Sequence, residues 1–80
     1  MNYTSNEVEP YDFLNFIRHY EGTYTYFRDI QMWMNHLPAL KNCYTIEQFR
    51  AQMRSDSRFG RKDLRKFNDA IAAFLESKRA

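Results

Sequence analysis

The stretch SRFGRKDLRKFNDAIAAFLESK, Ser57 to Lys78, reads as one long helix with two unlike sides. Leu64, Phe67, Ile71, Phe74 and Leu75 recur at helical spacing and form an apolar stripe. At about 100° per residue, Arg61, Lys62, Arg65 and Lys66 fall opposite that stripe, within an arc of about 140°. The element that anchors the core therefore also carries the densest positive charge in the chain. Arg58-Phe59-Gly60 is expected to form a short helical turn ahead of it.

Working outward, the composition agrees with helices. Eighty residues allow one core near the lower size limit for independent stability. Hydrophobic residues at 44% and aromatics at 18% argue for a globular chain rather than a disordered one. Two glycines and two prolines are too few for the turns of an all-β protein. Cys43 is the lone cysteine, so no internal disulfide forms, and the reading is a small half-buried hydrophobe, with a reactive thiol as the alternative, in a reduced, cytoplasmic protein. No apolar run approaches the ~18 residues of a membrane span, so no membrane partner is expected.

Upstream, residues 1–8 have no period and are expected to be a flexible leader, with one helical domain over 9–78. Pro10 suits a first helical position. Tyr11, Leu14 and Ile17, joined by Phe13, Phe16 and Tyr20, predict a first helix over about 10–20. Gly22 then follows as a left-handed C-cap. Thr23-Tyr-Thr-Tyr-Phe alternates like a strand but has no partner strand to pair with. A threonine N-cap and a second helix over about 25–36 are the better reading. Phe27, Ile30, Met34 and Leu37 form its inner stripe, and Trp33 lies off it as a half-buried lid. Pro38 limits that helix, and Pro38 to Cys43 reads as a connector. Thr45 and Gln48 fit a capping box, with Tyr44 and Phe49 at the positions of a hydrophobic staple. A third long segment therefore starts at Thr45 and runs to about 54 on Ile46, Phe49 and Met53, before the polar break Ser55-Asp-Ser.

Four of these segments carry a family likeness. Tyr11-Asp-Phe-Leu with Arg18, Arg28-Asp29-Ile30 with Leu37-Pro38, Tyr44-Thr-Ile-Glu-Gln-Phe, and Phe67-Asn-Asp-Ala-Ile-Ala-Ala-Phe74 follow one another in order. In this the chain resembles the YozE family of small bacterial proteins, whose fold is like the sterile alpha motif. The resemblance implies an all-α bundle of four or five short helices. It implies no activity, because the family is itself largely uncharacterised.

Function has to be read from charge. Residues 1–40 hold two basic and five acidic side chains, net −3, whereas 41–80 hold ten and five, net +5. Arg50, Arg54, Arg58, Arg61, Lys62, Arg65 and Lys66 concentrate seven cations in seventeen residues. Cations at a helix N-terminus oppose its dipole by about 0.3–1 kcal/mol each. Arg61 with Arg65, and Lys62 with Lys66, are also like-charge i,i+4 neighbours. A solvated face eased by Arg58–Asp56 and Arg65–Asp69 pairs is the plain alternative. A binding face would take an acidic protein surface or a nucleic-acid phosphate backbone, the latter with affinity falling steeply with salt. An inhibitor of the phage type, acting on a host complex, belongs to the protein-binding class.

The polarised halves would permit weak head-to-tail self-association beside a monomer. Enzyme readings find little. His19 near Asp12 or Glu21, and His36 near Asp29, come with no nucleophile, and Gly22 and Gly60 build no phosphate loop. Tyr3, Tyr24 and Tyr26 are candidate stacking or anchoring rings. The expectation is a non-enzymatic binding module with no catalytic residues, cofactor or metal.

Overall fold

Residues 10–79 are described by the computed structural model, with side chains from Phe13 to Lys78. The expected leader and the Tyr11 and Tyr3 side chains lie outside that range. Five helices and no strand are found among the described residues. They are α1 (Pro10–Arg18), α2 (Thr25–His36), α3 (Pro38–Lys41), α4 (Ile46–Ser55) and α5 (Arg61–Arg79). The second helix packs against α1, α3 and α5, and α4 closes against α1 and α3. The all-α expectation holds, and residues 25–27 are helical rather than extended.

Each helix end shows what the backbone needs there. The first helix stops at Arg18, two residues short of expectation. Past that end His19 N–H donates to the Asn15 and Phe16 carbonyls and Tyr20 N–H to that of Ile17, while Gln31 Nε2 of α2 adds bonds to the Ile17 and Tyr20 carbonyls at 3.0 and 2.9 Å. Gly22 is not a left-handed cap, because no glycine has positive φ. It is needed for space instead. A Cβ there would meet Cε1 of Tyr20 at 2.9 Å, with Cζ and the hydroxyl closer still. That ring cannot retreat, since it packs on Phe16 at 5.3 Å and edge-on to Phe27 at 5.1 Å. Gly22→Ala is therefore expected to cost about 1–3 kcal/mol by overpacking, read as a lowered urea midpoint.

No threonine caps α2. Tyr24 is its N-cap, without a side-chain bond, and its backbone N–H donates to the Tyr20 hydroxyl at 3.0 Å. The expected connector after Pro38 contains the four-residue helix α3. Leu37 ends α2, its N–H donating to the Trp33 carbonyl at 2.9 Å, and is also the N-cap of α3. Pro38 does not merely block α2; it starts α3 from the first position, where a missing N–H costs nothing.

The capping box of α4 forms as read. Gln48 N–H donates to Thr45 Oγ1 at 3.0 Å, and Thr45 N–H donates to Gln48 Oε1 at 3.2 Å. The staple does not close: Tyr44 is 64% exposed, and the Phe49 ring stacks on Phe67 at 4.8 Å. Ahead of α5, residues 56–59 form a hydrogen-bonded turn rather than helix, with Phe59 N–H donating to the Asp56 carbonyl at 3.0 Å. The final helix accordingly begins at Arg61.

The core is built of rings. Phe13, Phe49, Phe67 and Phe74 are buried with Leu14, Ile17, Ile30, Leu40 and Met53. Phe13 meets Phe74 and Phe67 edge-on at 5.3 and 5.9 Å, which suits the ring quadrupoles. Trp33 is half-buried, as expected, and lies edge-on to Phe59 at 5.0 Å. Cys43 is buried, its Sγ donating to the Ala39 carbonyl at 3.2 Å, and burial pushes its thiol pKa up.

Along α5 the buried positions are Phe67, Ala70 and Phe74, while Leu64, Ile71 and Leu75 are only half-buried. The inward stripe is thus turned by roughly 60° from the one read in the sequence. Ala70 is fully buried at its margin. This rotation decides which cations face water.

Candidate functional site

The seven cations read from the sequence do not form one equivalent set. With Ala70 turned inward, the outermost line of α5 runs through Arg61, Arg65 and Asn68, at i, i+4 and i+7. Lys62 and Lys66 lie further round. Lys66 is on the flank next to α2, where its Nζ donates to Asp29 Oδ2 at 2.7 Å and lies 5.8 Å from the Tyr26 ring centroid. It has become a tie between α5 and α2.

Two more are engaged inside the molecule. Arg58 curls onto Asp56: its backbone N–H and Nε donate to Oδ1 at 2.9 and 3.0 Å, and Nη2 to Oδ2 at 2.7 Å. These bonds hold the Asp56 carboxyl down to about 2 and raise the Arg58 pKa. A carboxyl lowered in the fold stabilises above its ordinary value near 4 and loses that contribution as pH falls towards 2. Arg50 is half-buried, its Nη2 donating to Asn68 Oδ1 at 2.9 Å and its guanidinium lying 5.8 Å from the Phe67 ring centroid. It fastens α4 to α5.

Arg54, Arg61, Lys62 and Arg65 remain. All four are exposed, and none has an ion pair or hydrogen bond among the described residues. The Arg65–Asp69 pair expected to ease the charge is not made. Near the start of α5, Asp63 Oδ2 accepts from the Gly60 N–H at 3.2 Å and places one negative charge where the helix dipole favours it.

Between α4 and α5 lies an open groove of about 440 Å³ lined by Glu47, Arg50, Ala51, Arg54 and Asn68. Arg54 stands on its α4 side and Asn68 on its α5 side, one helical turn beyond Arg65. Glu47 and Asn68 were not singled out in the sequence. The signal for Asn68 was its helical spacing from Arg61 and Arg65; Glu47 had none, because its relation to α5 is tertiary.

The Lys66–Asp29 tie has a measurable signature. The hydrogen bond to Asp29 raises the Lys66 pKa, so its stabilisation is fully present below the ordinary lysine value near 10.4 and fades above it. Asp29→Asn is expected to cost about 1 kcal/mol or less at neutral pH, both groups being partly exposed. Urea unfolding at pH 8 and pH 11 should show that difference shrinking at the higher pH.

Other expected features fall as follows. His19 and His36 are exposed, with His19 Nδ1 donating to the Asn15 carbonyl at 3.0 Å. Tyr24 is exposed and Tyr26 half-buried, both away from the α4–α5 groove. Among the described residues, no three His, Cys, Asp or Glu side chains gather as metal ligands, and no helix is long and apolar enough to cross a membrane. Compared with protein-family models, curated proteins and solved structures, the chain finds no match in any of the three.

Proposed function

We propose that this chain is a non-enzymatic, cytoplasmic binding module that engages an acidic protein surface through α4 and α5. The observation that carries the reading is the exposed, unpartnered state of Arg61, Lys62 and Arg65 on α5 and of Arg54, which lines the open groove. Two of these cations sit in the first turn of α5, where they oppose the helix dipole and gain no internal partner in return. Charge kept at a cost to the fold is charge available to something else.

A protein partner suits the surface better than a phosphate backbone. Glu47 lines the groove beside Arg50 and Arg54, and a carboxylate in that place repels a polyanion while pairing with a partner's cation. The all-α architecture of five helices is compatible with a YozE-like or sterile-alpha-motif-like relationship, and that likeness remains part of this proposal.

The triple variant Arg61→Glu, Lys62→Glu, Arg65→Glu tests it. Reversing the first-turn charges at Arg61 and Lys62 relieves the dipole, so stability is expected to hold or rise by about 0.3–1 kcal/mol for each of those two sites. Partner retention on the immobilised chain should fall by about tenfold or more and should survive nuclease treatment. Retention unchanged in the variant would end the proposal. Retention abolished by nuclease, with a steep salt dependence, would transfer the surface to nucleic acid.

A further inference from the structure

On another side of the molecule, three depressions of about 310, 180 and 340 Å³ adjoin one another across α1, α2 and α3. The first and second share Arg18 and Lys41, and the second and third share Gln31 and Asn35. Their shared lining sets them side by side as a shallow trough divided by the Arg18, Lys41, Gln31 and Asn35 side chains, with exposed Tyr44 in the first depression and exposed Met32 in the third. We propose that this trough binds an extended, acidic peptide segment, independently of the cationic surface on α4 and α5.

Its lining is unusual in being rich in side-chain amides. Asn15, Asn35 and Asn42 have exposed side chains that bond nothing among the described residues. Gln31 uses its Nε2 on the end of α1, and its Oε1 accepts no bond there. A carboxamide presents a donor and an acceptor side by side, the complement of a peptide group. A row of them suits a main chain held extended, where backbone bonds give affinity and side-chain pockets give selection.

Charge supplies the selection. Lys41 and Arg28 are exposed and unpartnered, and the one carboxylate in the lining, Asp29, is already held by Lys66. The trough therefore favours acidic side chains. The floor is Met34, buried and apolar, and Met32 on the rim is a flexible thioether that adapts to varied contacts. Single-stranded nucleic acid fits less well: it wants successive rings to stack on, and the trough offers Tyr44 alone.

Side-chain NH₂ signals in a ¹H–¹⁵N spectrum test this on the intact chain. The probe is a synthetic peptide of alternating Glu and Ala, about ten residues long, set against its Lys–Ala counterpart and an oligothymidylate of similar length. With the Glu–Ala peptide, the Asn35 and Asn42 NH₂ signals should move, and should still move in the Arg61, Lys62, Arg65 triple variant. Arg28→Glu with Lys41→Glu should weaken that titration by about tenfold or more. Asn35→Ala, which touches neither charge, should weaken it as well. Movement confined to α4 and α5, no movement at millimolar peptide, or equal movement with the Lys–Ala peptide would overturn the assignment. Movement with oligothymidylate at lower concentration would overturn it in favour of nucleic acid.

Discussion

Phe67→Ala is expected to remove about 3–5 kcal/mol of stability at 25 °C, a large share of what the fold holds. The side chain is fully buried, stacked on Phe49 with the ring planes 9° apart and edge-on to Phe13. Phenylalanine truncation in a core costs about 3–5 kcal/mol, through lost transfer energy and a cavity that closes only in part. Here the partners are rings, which fill a ring-shaped void poorly. A fold of this length has about 4–12 kcal/mol to lose. Arg50, lying over the same ring, would lose its platform as well. Far-UV circular dichroism with a urea titration reads the outcome directly. A stability loss below about 1 kcal/mol would mean that Phe67 is not the centre of the core.

The second large effect concerns a bond that looks peripheral. Arg18 Nη2 donates to the Lys41 carbonyl at 2.8 Å and to the Cys43 carbonyl at 2.6 Å. The backbone bonds of α3 use the Leu37, Pro38 and Leu40 carbonyls, so the carbonyls of Lys41 and Cys43 at its far end are met by this guanidinium. Arg18→Met keeps the stem and removes the donors. Hydrogen bonds to charged groups contribute about 1.5–3 kcal/mol each when shielded, and Arg18 is half-buried. A cost of about 2–3 kcal/mol with an unchanged urea slope is therefore expected.

Cys43 gives an independent reading of the same change. The Arg18 charge slightly counters the rise in thiol pKa that burial imposes, so losing it would by itself slow alkylation. Faster alkylation in Arg18→Met is nonetheless the expected result, because the segment opens. Slower alkylation would mean that the guanidinium acts on Cys43 by charge alone.

How far these features were legible depends on the range of the interactions that make them. The capping box at Thr45 involves two side chains three residues apart, and the sequence carries it down to the individual bonds. The span of α2 was likewise set by a periodic stripe between a turn and a proline. Gly22 was found for the wrong reason: a glycine after a helix suggests a cap, and only the folded Tyr20 ring shows that space is what it supplies. The same limit applies to α5. Its cations were plain, but which of them stay free follows from Ala70, a small residue whose burial depends on what packs against it. Gln31 and Arg18 act across 11 to 25 residues of chain. Neither has a local pattern, so the trough they border had none.

Leu37 closes one helix and opens the next without a residue between them. A joint with no slack cannot absorb a change in length. One added residue there would swing Leu40 about 100° away from its buried seat and carry the capping box out of phase with the rest. Descendants of this sequence, and fusions built on it, must therefore inherit the span from Trp33 to Leu40 at constant length, whatever else in it they alter.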